Sequence, residues 1–278
     1  MNKIIVMWGL SAVLFLAAVI GVYTFYEKMN GNESHHAHEV ASQKESEVDH
    51  QHGKDEHEDH SAHSDSAKSE VTTNVTYENA IITIEVKDKE GDTPELALSH
   101  EKMMHLIIVS SDLNHYYHVH PERHANGLYT KEFHLPNGAY KVFVDIKPKN
   151  IAYHVSPVEL HIGDEQHHHE SNQLTPDQEL KKTVDGKEVE LTTTPLQAGE
   201  PVTLTFDTKE ATPEPYLGAL GHVVILDETG EKFLHVHPTS KDQTVFETTF
   251  AEPGLYKVWG EFQFDGNVHV YPFVIEVK

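Results

Sequence analysis

The sequence contains two copies of one unit, and this repeat constrains the fold more than any other feature. Residues 105–109 (HLIIV) match 222–226 (HVVIL), and 118–121 (HVHP) match 235–238 (HVHP), each 117 positions later. The matches keep their order, and the offset changes by only one residue per loop further along the chain. Such regular self-similarity indicates a tandem duplication of one structural unit. The two copies cover residues 71–163 and 177–278.

Each copy is predicted to be built from short β-strands. Residues 80–87 and 201–207 alternate between apolar and polar side chains, the pattern of a half-buried strand. Residues 105–109 and 222–226 are apolar on both faces, which predicts central strands. Asp265-Gly266 suits the type I′ turn of a hairpin.

A Gly-x-Tyr sequence enters a strand in each copy, at Gly138 to Tyr140 and at Gly254 to Tyr256. This pattern is similar to the tyrosine corner of immunoglobulin-like sandwiches. No long helical periodicity follows residue 30. We therefore predict an all-β fold class, with two tandem immunoglobulin-like β-sandwich domains.

The residues before the repeat are of a different kind. Residues 4–26 carry no charge over 23 positions, long enough to cross a bilayer. The run lacks a small-residue cleavage site, so we interpret residues 1–30 as an uncleaved transmembrane signal anchor. Lys3 on the short side favours a cytoplasmic N-terminus, which would place the C-terminal domains outside the cell membrane.

Two polar segments join these parts. Residues 31–70 combine histidine, serine and acidic side chains with almost no large apolar residue, so they are predicted to form a disordered tether. Residues 164–176 contain a second histidine-rich tract and are predicted to link the domains. The tether could act as a spacer, as a weak collector of metal ions, or as both.

The charge balance excludes several classes of protein. The chain has 45 acidic and 21 basic residues, a formal net charge of −24, beside 24 histidines. Such an acidic chain is not a general nucleic-acid binder. It has no cysteine, which excludes disulfides, thiolate metal sites and cysteine nucleophiles.

The histidines of the repeat are the candidate site. The second copy has four histidines, and each has a histidine partner in the first. A His-x-His sequence on a strand places two imidazoles on one face about 7 Å apart, where they can share one ion. We predict one metal site of four histidines in each domain, for Cu(II) or Zn(II). The predicted ligands are His105, His118, His120, His154, His222, His235, His237 and His269.

Strand parity assigns faces to some of these side chains. With Asp265-Gly266 as the turn, Phe262 lies opposite His269, which predicts that His269 points to the core. Glu261 then lies on the other face, so we predict that Glu261 and its counterpart Asp145 are surface or supporting residues rather than ligands. The unmatched histidines are predicted to be surface or structural residues: His100, His115, His124, His134 and His161.

The motif residues resemble a known group of proteins. Residues 100–109 (HEKMMHLIIV), 112–113 (DL) and 118–122 (HVHPE) are similar to a signature of largely uncharacterised bacterial exported proteins. The Gly-x-Tyr frame resembles YtkA-like and FixH-like domains. The resemblance implies an exported β-sandwich protein with a role in metal handling. The second copy lacks the His-Glu-Lys triplet, so the two sites need not be equivalent.

These observations favour a membrane-anchored, extracytoplasmic protein that binds a transition metal for buffering, sensing or delivery to a metalloprotein or transporter. Two alternatives remain open. One is a cupin-like metal-dependent enzyme, although only the first copy has a glutamate, Glu122, after its His-x-His-Pro motif. The other is an interaction module whose histidines sense pH.

Overall fold

The computed structural model describes residues 68–125, 127–163, 174–236 and 238–278. The predicted anchor, almost all of the predicted tether and residues 164–173 of the predicted linker lie outside these ranges. In the described part of the chain, no helix is long and apolar enough to cross a membrane. All described residues belong to one compact unit of the chain.

The first domain consists of two antiparallel sheets. One has the order β1-β2-β7-β6, and the other has the order β3-β8-β4-β5 with β9 paired to β8. Its strands are β1 Val71–Glu78, β2 Ile81–Asp88, β3 Leu96–Ala97, β4 Met104–Ser110, β5 Tyr116–Val119, β6 Glu122–Arg123, β7 Tyr129–Glu132, β8 Gly138–Pro148 and β9 Val158–Ile162.

The second domain repeats this plan. Its sheets have the orders β10-β11-β12-β15 and β14-β13-β16-β17. Its strands are β10 Lys181–Val184, β11 Lys187–Thr193, β12 Pro201–Asp207, β13 His222–Asp227, β14 Phe233–Val236, β15 Val245–Thr249, β16 Gly254–Phe264 and β17 Asn267–Val277. The predicted all-β fold of two sandwiches is confirmed, and the described residues contain no helix.

Two local predictions are also confirmed. Asp265 and Gly266 both have positive φ, and the hairpin pairs Phe262 with His269. The hydroxyl of Tyr140 donates a hydrogen bond to the Pro136 carbonyl at 2.9 Å, and that of Tyr256 donates to the Glu252 carbonyl at 2.8 Å. A tyrosine that bonds back to the backbone a few residues upstream is the tyrosine corner.

Each sandwich has its own apolar core between its sheets. In the first domain Ile82, Leu106 and Val142 lie in this core, and in the second Val223 and Phe262 do. These side chains are fully buried. Because side chains alternate along a strand, the neighbours of Leu106 and Val223 point to the other face of the same sheet.

That other face forms a third apolar cluster, which joins the two domains. Ile107 and Phe143 of the first domain pack in it with Val224, Leu226 and Trp259 of the second. The strands β4 and β13 are therefore apolar on both faces for a specific reason. One face covers the core of its own sandwich and the other covers the partner domain.

The cluster between the domains is built symmetrically. Tyr116 stacks on Trp259 with ring centroids 4.9 Å apart, and Phe143 stacks on Phe233 at the same distance. Tyr116 corresponds to Phe233 in the repeat, and Phe143 corresponds to Trp259. Each domain thus presents the same patch to the other, which is an isologous contact formed within a single chain.

All described strands and all three apolar clusters lie within residues 68–278. A fragment with these residues therefore contains the contacts that hold the fold together, and it omits the anchor and the tether. We expect this fragment to fold on its own.

Trp259→Ala should destabilise both domains at once, because the substitution leaves a cavity between them and removes the stack on Tyr116. Substitutions of this kind in a buried site cost about 3–5 kcal/mol. Calorimetry of fragment 68–278 should show one unfolding transition for the wild type. The variant should show a lower melting temperature and transitions that no longer coincide.

The matched control is Val268→Ala, because Val268 is 40% exposed on a strand of the same domain. It should change the free energy of unfolding by no more than about 0.5 kcal/mol. Equal melting behaviour of wild type and Trp259→Ala would show that the stability of each domain does not depend on its contact with the other.

Candidate metal centre

A tight two-residue turn precedes the central strand of each domain. The first turn joins Ser99 to Lys102 and the second joins Tyr216 to Ala219, each closed by backbone hydrogen bonds. The central residues have positive φ angles, of 43° at His100, 63° at Glu101, 51° at Leu217 and 78° at Gly218. Two successive positive φ angles are the mark of a type I′ turn.

These turns orient the first histidine of each central sheet. The Ser99 carbonyl accepts a hydrogen bond from Nε2 of His105 at 2.9 Å, and the Tyr216 carbonyl accepts one from Nε2 of His222 at 2.9 Å. A carbonyl can only accept, so the proton of each neutral ring is on Nε2. The Nδ1 atom of each ring therefore carries the lone pair that can bind a metal.

Three histidines of the first domain converge on one point. Nδ1 of His105 lies 2.9 Å from Nε2 of His118 and 3.1 Å from Nε2 of His120. One nitrogen from each ring lies within 4.8 Å of the other two, which is the arrangement of a possible metal site. We call His105, His118 and His120 the histidine triad.

A carboxylate from the second domain fixes one ring of the triad. Nδ1 of His118 donates a hydrogen bond to Oε2 of Glu261 at 2.7 Å, and both side chains are almost fully buried. The proton of His118 is therefore on Nδ1, and its Nε2 lone pair faces the lone pair of His105. Two lone pairs at 2.9 Å need a proton or a cation between them.

The second domain contributes the mirror arrangement. Nδ1 of His235 donates a hydrogen bond to Oδ2 of Asp145, a residue of the first domain, at 2.5 Å. Asp145 pairs with His105 across β4 and β8, as Glu261 pairs with His222 across β13 and β16. Each domain therefore supplies a carboxylate that orients a histidine of the other.

The histidine rings form one cluster across the domain boundary. The centroid of the His235 ring lies 5.3 Å from that of His105 and 5.8 Å from that of His118. The His100 ring lies 5.1 Å from the His222 ring and 6.0 Å from the His235 ring. These rings come from both domains, so the structure has one shared cluster where the sequence suggested two separate sites.

Burial favours the neutral form of five histidine rings in and around the cluster. Desolvation lowers the pKa of His105 and of His222 to about 4, and that of His120 to about 2. It also lowers the pKa of His100 and takes that of His235 well below its usual value. A neutral imidazole is the form that binds a metal ion, so protons compete weakly for these rings at pH 7.

Glu261 is charged although it is buried. Burial raises the pKa of its carboxyl, but the hydrogen bond from His118 acts in the opposite direction and the net shift is downward. The Tyr116 hydroxyl also favours the charged form. A negative charge held in this place would stabilise a cation bound to the neighbouring rings.

A protein-family model matches the chain twice, over residues 61–163 and 182–278. Its description is a domain of unknown function, DUF8832. The chain belongs to this family. The two matched stretches coincide with the two sandwiches, so each sandwich is one DUF8832 unit. No curated protein matches the chain in sequence.

Several solved structures share a likeness with the pair of DUF8832 units. A two-domain fibronectin type III segment of chicken tenascin is 7% identical over 74% of this chain and 98% of its own, with a TM-score of 0.25. The Escherichia coli adhesin FdeC is 15% identical over 76% of this chain and 65% of its own, with a TM-score of 0.24. Scores this low carry no argument about function.

The structure brings together five of the predicted ligands of the two DUF8832 units. These are His105, His118, His120, His222 and His235. His237 lies outside the described residues. His154 is exposed on the surface, in the loop between β8 and β9, and is not part of the cluster.

His269 is the second predicted ligand, after His154, that is not part of the cluster. It is 8% exposed, as its predicted core orientation requires, and its Nδ1 bonds the Asn267 carbonyl at 3.0 Å. It packs against Phe264 on the inner side of the sheet. His222 pairs with Glu261, and Glu261 points away from Phe262 and His269. His269 and His222 therefore lie on opposite faces and cannot share an ion.

Glu261 and Asp145, predicted to be surface or supporting residues, are supporting residues, because the face they share with the histidines is covered by the other domain and each accepts a hydrogen bond from a histidine of that domain. One expectation about another residue needs correction. His100, expected to be a surface or structural residue, is part of the cluster. For Glu261 the sequence signal is strand parity, because Glu261 shares its face with its cross-strand partner His222.

Glu261→Ala should destabilise fragment 68–278, because it leaves the Nδ1 proton of His118 buried without an acceptor. An unsatisfied buried donor costs about 1–3 kcal/mol. Urea denaturation measures the loss. The control is Glu247→Ala, because Glu247 is exposed on β15 of the same domain. Equal losses in the two variants would contradict the role given to Glu261.

Proposed function

We propose that this chain is an extracytoplasmic transition-metal binding protein whose histidine triad holds a Cu(II) or Zn(II) ion. One observation carries the proposal: ring nitrogens of His105, His118 and His120 converge, and the lone pairs of His105 and His118 face each other. Without a cation or a proton between them, this arrangement is repulsive.

The distances suit an ion of this size. Nitrogen ligands lie about 2.0–2.1 Å from zinc, so two nitrogens on one tetrahedral ion are roughly 3.3 Å apart. The separations of 2.9 and 3.1 Å in the triad are close to this value. A small movement of the rings would admit an ion.

The surroundings of the triad resemble those of known metal sites in chemical terms. A histidine that binds a metal commonly donates its other ring proton to a carboxylate or a backbone carbonyl, which fixes the tautomer. His118 does so to Glu261 and His105 to Ser99. Imidazole ligands without thiolates suit Cu(II) and Zn(II).

For the remaining parts of the chain, the proposed roles rest on the sequence alone. Residues 1–30 would anchor the protein in the cell membrane, with both domains outside. The acidic, histidine-rich tether would gather ions near the centre. The protein would then buffer the metal, sense it or deliver it to a metalloprotein or transporter.

The first test is affinity. Fragment 68–278 should bind Cu(II) or Zn(II) in a titration against a chelator of known affinity. His118→Ala/His120→Ala should weaken binding by roughly 100-fold or more, since even the loss of a supporting residue weakens metal binding by about 10–100-fold.

The control removes two histidines that lie outside the cluster. His154→Ala/His161→Ala should leave the affinity unchanged, because both side chains are exposed. Equal affinity of the triad variant and the wild type would refute the proposed site. An absence of binding by the wild type would favour an interaction module without a metal.

The second test reads the tautomers directly. In the zinc-loaded fragment, long-range ¹H–¹⁵N spectra should show the proton of His105 on Nε2 and that of His118 on Nδ1. The chemical shifts of the other two nitrogens should move on zinc binding. A proton on Nδ1 of His105 would contradict the proposed coordination.

A further inference from the structure

We infer that the cluster has a second metal position, formed by His222 and His235 of the second domain together with His100 of the first. It would take the same class of ion, Cu(II) or Zn(II). This inference rests on the proposed function, because it extends the same cluster of neutral imidazoles. It adds a residue, His100, that the repeat pattern does not contain.

His222 provides the first observation. Its side chain is fully buried, and its Nε2 is committed to the Tyr216 carbonyl. Its Nδ1 has no hydrogen-bond partner among the described residues. Buried polar atoms are nearly always satisfied, so an orphaned ring nitrogen inside a histidine cluster indicates a missing ligand.

His235 is held in the same way as its counterpart in the triad. The Asp145 carboxylate accepts the Nδ1 proton of His235, as the Glu261 carboxylate accepts that of His118. The lone pair of each ring is therefore on Nε2. The rings of His222 and His235 have centroids 6.2 Å apart, and a movement of the rings would bring both onto one ion.

His100 supplies the third ring from the other domain. It lies in the turn before β4 with a φ of 43°, in the left-handed region that few residues other than glycine adopt. From this turn the ring reaches the second domain, 5.1 Å from His222 and edge-on to it.

The two halves of the cluster differ at this position. The residue that corresponds to His100 in the second turn is Leu217, so the second domain has no ring to offer in return. The half that contains the histidine triad already has three rings of its own. His237, the counterpart of His120, lies outside the described residues, and among those described His100 is the third ring beside His222 and His235.

The charges can support two ions close together. The His105 and His235 rings are 5.3 Å apart, so the two positions are neighbours and two divalent cations would repel. Glu261 and Asp145 place one carboxylate behind each half. These negative charges offset part of the repulsion.

The test is the number of ions held by fragment 68–278. After saturation with Zn(II) and dialysis against a weak chelator, elemental analysis should find two ions per wild-type chain. His100→Asn should reduce this to one, and His118→Ala/His120→Ala should also reduce it. Asparagine accepts the conformation of a type I′ turn, so this variant should keep the turn.

A spectroscopic measurement makes the test independent of the count. With one equivalent of Cu(II) the fragment should give the EPR signal of an isolated ion. With two equivalents the signal should broaden through dipolar coupling. In His100→Asn the broadening should be lost. His154→Asn is the matched control and should behave as the wild type.

The outcomes separate the two proposals. One ion in the wild type, lost in the triad variant and unaffected by His100→Asn, would overturn the second position and leave the proposed function in place. Two ions in His100→Asn would overturn the role of His100. No bound ion in the wild type would overturn both proposals.

Discussion

The packing of one sheet from each domain against the other is the contact on which the rest of the structure depends. This contact buries Trp259 and Phe143 at its centre, and each of them stacks on an aromatic ring of the opposite domain. It also covers the face of each central sheet on which the histidines lie. Without it, His118 would lose its carboxylate and the rings of the two domains would face solvent.

The interface explains how polar groups can be tolerated at this depth. Imidazoles and carboxylates in an apolar setting are costly unless each is paired. Here the pairs are formed between domains, with His118 on Glu261 and His235 on Asp145. Neither domain satisfies these groups alone, so the polar network favours the same docking geometry as the apolar cluster beside it.

Much of the fold follows from the sequence, but the interface does not. The repeat, the strand alternation and the Asp265-Gly266 turn predict the sandwiches and one hairpin register. Runs that are apolar on both faces, such as 105–109, predict burial without saying what covers the second face. The covering surface is a second copy of the same unit, and only the three-dimensional structure shows that the two pack face to face.

The sequence likewise predicts only part of the candidate site. The His-x-His motif of the first copy predicts that His118 and His120 share one face, and the structure brings both into the triad, whereas His237 of the second copy lies outside the described residues. His269 matches a histidine in the repeat but lies on the inner face, so repetition alone is not evidence of a shared site. His100 has no counterpart at Leu217, and its role depends on a contact between domains that no local pattern encodes.

Because this symmetric interface lies within one chain, substitutions can occur in one half of the centre without occurring in the other. Two separate chains that met through this patch would form a dimer, and any substitution would then occur on both sides at once. In a single chain the same contact forms at a high effective concentration, independent of the amount of protein. Each half can also be altered without the other, as the pair His100 and Leu217 illustrates. Covalent linkage thus allows a centre with two unlike halves, which an exact homodimer could not contain.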